Sequence, residues 1–333
     1  MARFPSACPP KSWWEGDRVN ARTDTSGPAA LAITGLQKSY KGSPAVTGLD
    51  LSVDRGTIVG LIGPDGAGKT TTMRIALGLL HPDAGQVVVL GTDLTEGIAA
   101  IKSHLGYMPQ RFSLYPDLTV GENLRFFAEL YLVPKAERQK LEAELLAFSR
   151  LEPFRNRRAG DLSGGMKQKL ALSCNLVHRP ELLILDEPTT GVDPVSRQEF
   201  WQWLRRFADE GLAILVSTPY MDEADLCDQV VLMHQGRALA QGKPEELTAL
   251  FPGGLVRVDA DEVENLAAVL KQEGLDPSTV MRFGDSLHVT HAPDQGEHLT
   301  TLLADAGIAA EPLVPGIEDV FVALVTGSPQ EAS

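Results

Sequence analysis

The stretch that most constrains this chain lies between residues 58 and 80. An unbroken apolar run over 58–62 leads into Gly63-Pro64-Asp65-Gly66-Ala67-Gly68-Lys69-Thr70, and Met73, Ala76, Leu77 and Leu80 follow at helical spacing. The middle segment matches the phosphate-binding loop pattern G-x-x-x-x-G-K-[ST], and its flanks read as the buried strand and amphipathic helix that such a loop must join. Glycines let the backbone approach phosphate oxygens, and N–H groups at the helix start point at them. Lys69 can neutralise the β- and γ-phosphates, and the Thr70 hydroxyl can hold Mg²⁺.

The remaining sequence bounds what that loop can serve. At 333 residues the chain has room for about two domains, and its composition is that of a globular protein. A formal charge of −14 argues against a nucleic-acid partner, which calls for a basic face. No apolar run approaches the roughly 20 residues that span a bilayer, and the N-terminal stretch lacks an apolar signal core. A membrane role is therefore expected to come through a partner. Cys8, Cys174 and Cys227 are widely spaced, without metal-like pairing, and read as reduced thiols.

Residues 1–28 show no period and read as a disordered tail, with Trp13-Trp14 as a small contact site at most. Strands are expected over 31–37, 57–62, 87–90, 182–185, 213–217 and 230–234, several of them continuous apolar runs suited to a sheet covered on both faces. Between 111 and 170 the pattern is mainly helical. There Thr119 and Glu122 form a capping box, and Pro134 marks a helix end. A boundary is expected near Phe251-Pro252-Gly253-Gly254, so the first domain covers 29–250 and a second 254–327, with 328–333 as a tail. The second reads βαββαβα, a small split βαβ domain of ferredoxin-like, α+β type. Its His288, His291 and His298 lack metal-ligand spacing and are expected at the surface.

Three further motifs follow the phosphate loop. Gln110 closes Tyr107-Met108-Pro109-Gln110 after a predicted strand. Leu162-Ser163-Gly164-Gly165-Met166-Lys167-Gln168 places two glycines directly before a helix, again exposing N–H groups. Leu182-Leu183-Ile184-Leu185-Asp186-Glu187-Pro188-Thr189 ends a buried strand on two carboxylates: Asp186 can bind Mg²⁺ through water, and Glu187 can polarise an attacking water.

In this order the motifs resemble those of the ATP-binding-cassette ATPases, over residues 30–245. The resemblance implies an α/β fold with a mixed-sheet core and a helical subdomain over about 111–170. It implies that Tyr40 stacks on adenine and that Gly63 through Thr70, with Thr71, holds the phosphates of ATP. Thr70, Gln110 and Asp186 would serve Mg²⁺, with Gln110 also sensing a permease. Glu187 would be catalytic. Ser163, Gly164, Gly165 and Gln168 would complete the ATP site of a partner cassette, and Asp193, in Gly191-Val192-Asp193, would lie on the loop across the dimer interface. Ile317-Glu318-Asp319-Val320-Phe321 resembles the C-terminal extension of the daunorubicin-resistance branch of drug exporters. Gly63-Pro64-Asp65-Gly66 and Ser217-Thr218-Pro219-Tyr220-Met221-Asp222-Glu223-Ala224 resemble the first half of two-cassette multidrug exporters, although one cassette is present here.

The implied function is ATP hydrolysis powering efflux through membrane permease subunits, from the cytoplasmic face of the membrane. Two residues depart from the pattern. Asp65 replaces the more frequent Asn and is expected to point away from the phosphates. Pro219 replaces the switch histidine, and proline offers neither a side-chain donor nor an N–H. The alternative is therefore a switch subunit that closes on ATP with little hydrolysis of its own. A heterodimer with a second cassette chain is favoured over a homodimer. His234, at a turn before Gln235-Gly236, is not expected to substitute.

Overall fold

The computed structural model describes residues 27–111, 114–272 and 280–327. The expectations for Cys8, Trp13 and Trp14, for nearly all of the N-terminal tail, and for 328–333 lie outside them. The chain forms two compact units divided between Lys243 and Pro244, a little ahead of the Phe251–Gly254 turn signal.

In the first unit β1 (Leu31–Tyr40) and β2 (Ser43–Val53) form an antiparallel pair. Next come β3 (Ile58–Ile62), α1 (Lys69–Ala76), β4 (Ala84–Val89), the short β5 (Thr92–Asp93) and β6 (Leu105–Met108). Three helices follow, α2 (Val120–Leu130), α3 (Lys135–Ser149) and α4 (Gly164–Leu176). The unit closes with β7 (Leu182–Asp186), α5 (Pro194–Asp209), β8 (Ala213–Thr218), β9 (Gln229–His234) and β10 (Arg237–Gly242).

Two sheets result. One is antiparallel, in the order β2-β1-β4-β5. The other runs β10-β9-β3-β8-β7-β6, parallel from β9 to β6, with β10 returning antiparallel at the edge. Every residue of β3, β7 and β8 is buried, as strands covered on both faces must be. Val59, Leu61, Leu182, Ile184, Ala213 and Leu215 join Met73, Ile75 and Ala76 of α1 and the inner residues of the antiparallel sheet in one core. Phe200, Trp201, Leu204 and Phe207 line the buried face of α5, which packs on β3 and β8. Each such side chain contributes about 1.5–3 kcal/mol of transfer free energy.

The helical segment is anchored at its start. Thr119 accepts the Glu122 N–H at 3.2 Å while the Glu122 carboxylate accepts the Thr119 N–H at 2.8 Å, the reciprocal capping box. Asn123, fully buried, accepts from the Tyr115 N–H at 3.0 Å and donates to the carbonyls of Tyr115, Leu118 and Thr119. One amide thus ties down the chain over 115–119, just ahead of α2. Pro134, placed by sequence at a helix end, is the cap residue that starts α3.

Strands β2 and β10 were not legible. β2 carries Pro44 and Gly48, which mask the alternation of buried Leu49, Leu51 and Val53 with exposed Asp50 and Ser52, and β10, at the sheet edge, reads Arg-Ala-Leu-Ala-Gln-Gly without alternation.

The second unit contains α6 (Pro244–Thr248), β11 (Gly254–Asp259), α7 (Val263–Gln272), β12 (Val280–Phe283), β13 (Ser286–His291), α8 (Gly296–Asp305), β14 (Ala310–Leu313) and α9 (Ile317–Gly327). Its sheet is antiparallel throughout, in the order β12-β13-β11-β14. Leu266, Leu270, Leu299 and Leu303 cover one face of it, against Val256, Val258, Leu287 and Val289. One expectation is corrected here. His288 is not a surface histidine: its Nδ1 lies 2.6 Å from Asp319 Oδ1 and both side chains are largely buried, because α9 packs where His288 emerges from β13.

Candidate nucleotide site

The parallel strands gather the motifs at one edge of the sheet. The phosphate loop leaves the carboxyl end of β3, Gln110 follows that of β6, the acidic pair ends β7, and Pro219 follows β8. Ligands of open α/β sheets bind at this edge.

The loop turns sharply into α1. Gly68 is the cap residue of α1 at φ 103°, and a Cβ there would run into the Ala45 carbonyl oxygen. No atom lies within 4 Å of where a Cβ on Gly66 would stand, so the loop's outer side is open to a ligand. Asp65 and Gly66 are exposed and Pro64 is half-buried, while Ala67 is buried. Gly63 starts the turn, and its N–H reaches the Thr218 carbonyl at 3.4 Å. Thr71 is half-buried in the first turn of α1.

Lys69 is only 3% exposed. Its Nζ donates to the carbonyls of Gly63 at 2.7 Å and Pro64 at 3.0 Å, and stands 3.5 Å from Glu187 Oε1. Gln110 Nε2 donates to the other carboxylate oxygen, Glu187 Oε2, at 2.7 Å, and Thr190 Oγ1 approaches it at 3.4 Å. Asp186 Oδ1 accepts from Thr70 Oγ1 at 3.0 Å and from Ser217 Oγ at 2.8 Å. The structure therefore brings Lys69, Thr70, Gln110, Asp186 and Glu187 into one network.

Tyr107 lies just before Gln110; burial raises its pKa, and the charge of Asp186 pushes the same way. Tyr40, at the end of β1, is 45% exposed, and Lys38 Nζ stands over its ring, 6.0 Å from the centroid. Its neighbour Ser39 is tied through its N–H to Asp83, which also takes Lys38 Nζ at 2.7 Å.

The oxygen set fits a hard cation. Thr70 Oγ1 and the buried Asp186 carboxylate meet at the start of α1, and Mg²⁺ takes few protein oxygens beside waters and phosphate. Gln110 has its amide nitrogen engaged on Glu187, so any metal contact from it must use the amide oxygen.

The signature forms a second, exposed cluster. Ser163 caps α4, its Oγ accepting the Met166 N–H at 3.4 Å. Ser163 and Gly164 are exposed and Gln168 is half-buried. Gly165 is required by close approach: a Cβ there would stand 2.6 Å from Ser196 Oγ. Asp193 caps α5 and accepts the Ser196 N–H at 2.9 Å, which holds its carboxyl below the usual range. The signature glycines and the Asp193 loop thus share one outward face.

At the switch position the chain offers no imidazole. Pro219 is half-buried, the Tyr220 N–H closes back on Thr218 Oγ1 at 3.0 Å, and Arg197 lies over the Tyr220 ring, 4.2 Å from its centroid. Sequence reading missed Ser217, which joins β8 to the acidic pair, and Thr189, whose hydroxyl meets the buried Glu223 carboxylate at 3.1 Å. Ser217 carried one signal: with Thr218 it forms the polar end of an otherwise apolar buried strand.

Loop, acidic pair and open edge together define a phosphate-loop nucleotide-binding protein. Comparison with known proteins narrows this. The ABC transporter family model matches residues 46–190. The "Probable multidrug ABC transporter ATP-binding protein YbhF" of Escherichia coli is 51% identical over 68% of this chain, which spans only 39% of that relative's length. The "Nod factor export ATP-binding protein I" of Ralstonia nicotianae is 40% identical over 72% of this chain and 75% of its own. The chain belongs to the ABC transporter family, among its ATP-binding proteins.

Solved structures agree on the fold. An ATP-binding subunit of an ABC transporter superposes with TM-score 0.61 at 32% identity, covering 67% of this chain and 93% of that one. The dimeric ATP-binding cassette MJ0796, bound to ADP and Pi, gives TM-score 0.58 at 26% identity over 64% of this chain and 98% of its own.

Proposed function

We propose that this chain is the ATP-binding and ATP-hydrolysing subunit of an exporter, working with separate membrane permease subunits at the cytoplasmic face of the membrane. The observation that carries the reading is the convergence of Lys69, Thr70, Asp186, Glu187 and Gln110 at one sheet edge, in contacts of 2.7–3.5 Å. Export is the activity in the names of the multidrug and Nod factor relatives. The transported compound, a drug, a lipid or a similar molecule, is not specified by those names.

In this reading the loop N–H groups and Lys69 bind the β- and γ-phosphates of ATP, and Tyr40 stacks on the adenine. Thr70 and Asp186 hold Mg²⁺, which when bound neutralises charge on the phosphates. Glu187 orients a water and draws its proton as the water oxygen bonds to the γ-phosphorus and the bond to the β-phosphate oxygen breaks. Ser163, Gly164, Gly165 and Gln168, beside the Asp193 loop, complete the ATP site of a second cassette. No helix among the described residues is long and apolar enough to cross a membrane, so attachment falls to the permease. The docking segment in this reading is the region around 111–118, next to Gln110. Phe112 and Ser113 of that segment lie outside the described residues.

The test is basal MgATP hydrolysis by the full chain, then hydrolysis and transport with its permease. A second reading, closure on ATP with little turnover, rests on Pro219 alone. Binding without measurable hydrolysis, alone and in the complex, would select it.

A further inference from the structure

We infer that Ser217 is a positioning residue for hydrolysis: its one hydroxyl fixes both members of the acidic pair. The inference rests on the reading that Glu187 acts on the attacking water.

β7 and β8 run parallel with Asp186 and Ser217 as paired residues. Ser217 is fully buried, so its hydroxyl must find partners inside the protein. It donates to Asp186 Oδ1 at 2.8 Å and accepts the Glu187 N–H at 3.0 Å. A serine filling space in a buried strand would return its hydrogen bond to a nearby carbonyl. Here both functions of the hydroxyl go to two adjacent carboxylate residues that the site uses.

The backbone shows why such a tie is needed. Glu187 sits at φ 49°, left-handed space that a non-glycine residue occupies only when its surroundings over-determine it. Ser217 supplies the restraint twice, since its carbonyl also accepts the Glu187 N–H at 3.2 Å. That conformation turns the Glu187 side chain toward Lys69 and Gln110. On the other side, Thr70 and Ser217 both donate to the same oxygen of Asp186, which fixes how that carboxylate faces the loop. With no imidazole after β8, the hydroxyl two residues earlier is the group through which β8 touches the reacting residues.

The experiment uses the full chain and its variants Ser217→Ala, Ser217→Thr, Glu187→Gln and the double variant Glu187→Gln/Ser217→Ala. Single-turnover hydrolysis of γ-labelled ATP, ATP affinity by calorimetry, thermal stability and hydrogen exchange of the Glu187 amide are read. Ser217→Ala is expected to slow hydrolysis roughly tenfold, the size of one lost hydrogen bond, while ATP affinity stays within about twofold. Exchange at Glu187 should quicken by about the same factor without a matching loss of thermal stability. Ser217→Thr, which keeps the hydroxyl, should restore the rate; where the added methyl prevents folding, Ser217→Cys should fall between serine and alanine.

In the Glu187→Gln background the alanine change should cost nothing further, because the two residues act as one unit. Wild-type hydrolysis by Ser217→Ala, an undiminished cost in the double variant, or cysteine no better than alanine would each overturn the proposal. A Glu187→Gln variant with full hydrolysis would instead sink the assignment of Glu187, and the amide exchange would still report on Ser217.

Discussion

Gln110 Nε2 donates to Glu187 Oε2 at 2.7 Å, joining the residue that follows β6 with the residue proposed to act on water. The Glu187 carboxylate is thus engaged at both oxygens, by Gln110 on one side and Lys69 on the other.

Lys69 is the buried cation of the loop, its Nζ resting on the carbonyls of Gly63 and Pro64. Lys69→Ala leaves nothing to neutralise the β- and γ-phosphates. Titration calorimetry with MgATP should show binding lost or strongly weakened. Unchanged affinity would contradict the nucleotide assignment.

If the proline at the switch position slows hydrolysis, the effect should fall only on the site built on this chain's own loop. Ser163 and Gly164 are exposed, so in the proposed pairing they remain able to complete the site of a partner that has its own histidine. A group that positions or deprotonates water is worth roughly 10²–10⁴ in rate. With a second cassette chain, Ser163→Ala here should reduce turnover more than Glu187→Gln here. The reverse order, or brisk hydrolysis by the isolated chain, would mean that Pro219 is tolerated.

Burial pushes the His178 pKa down to about 4, with His104 adding to the effect and the Leu105 carbonyl opposing it. His178 lies flat on Tyr131 at 3.6 Å and contacts the Leu105 carbonyl at 3.0 Å. Its unfolded value is about 6.5, so between those values the unfolded chain binds more protons. Stability should be level with respect to this group above that window and fall as pH drops through it, by on the order of 3 kcal/mol. Urea titrations of wild type and His178→Gln across pH 4–7 should show a shallower decline in the variant.

Thr119 and Glu122 close the capping box at the start of α2. Thr119→Ala should cost about 0.5–2 kcal/mol in urea unfolding. Thr119→Ser should recover most of it. A loss below the error of the measurement would show that the Asn123 bonds hold the segment alone.

The sequence by itself determined the chemistry and most of the central elements. Buried parallel strands must be apolar throughout, so β3, β7 and β8 announced themselves, and the phosphate loop, signature and acidic pair are contiguous segments whose function is local backbone geometry. Thr119 and Glu122, three residues apart, likewise carry their own capping geometry.

Tertiary structure alone decided what meets across long separations. Edge strand β10 takes its conformation from its neighbour β9 rather than from pattern. The Gln110–Glu187 bond joins residues 77 positions apart, and Ser217 reaches Asp186 across 31. His288, polar and unpaired by any local rule, is buried because Asp319 arrives from α9 to meet it. A hydrogen bond between distant residues leaves no periodicity in either segment, since strand order and register set it, and these are fixed only when the core packs.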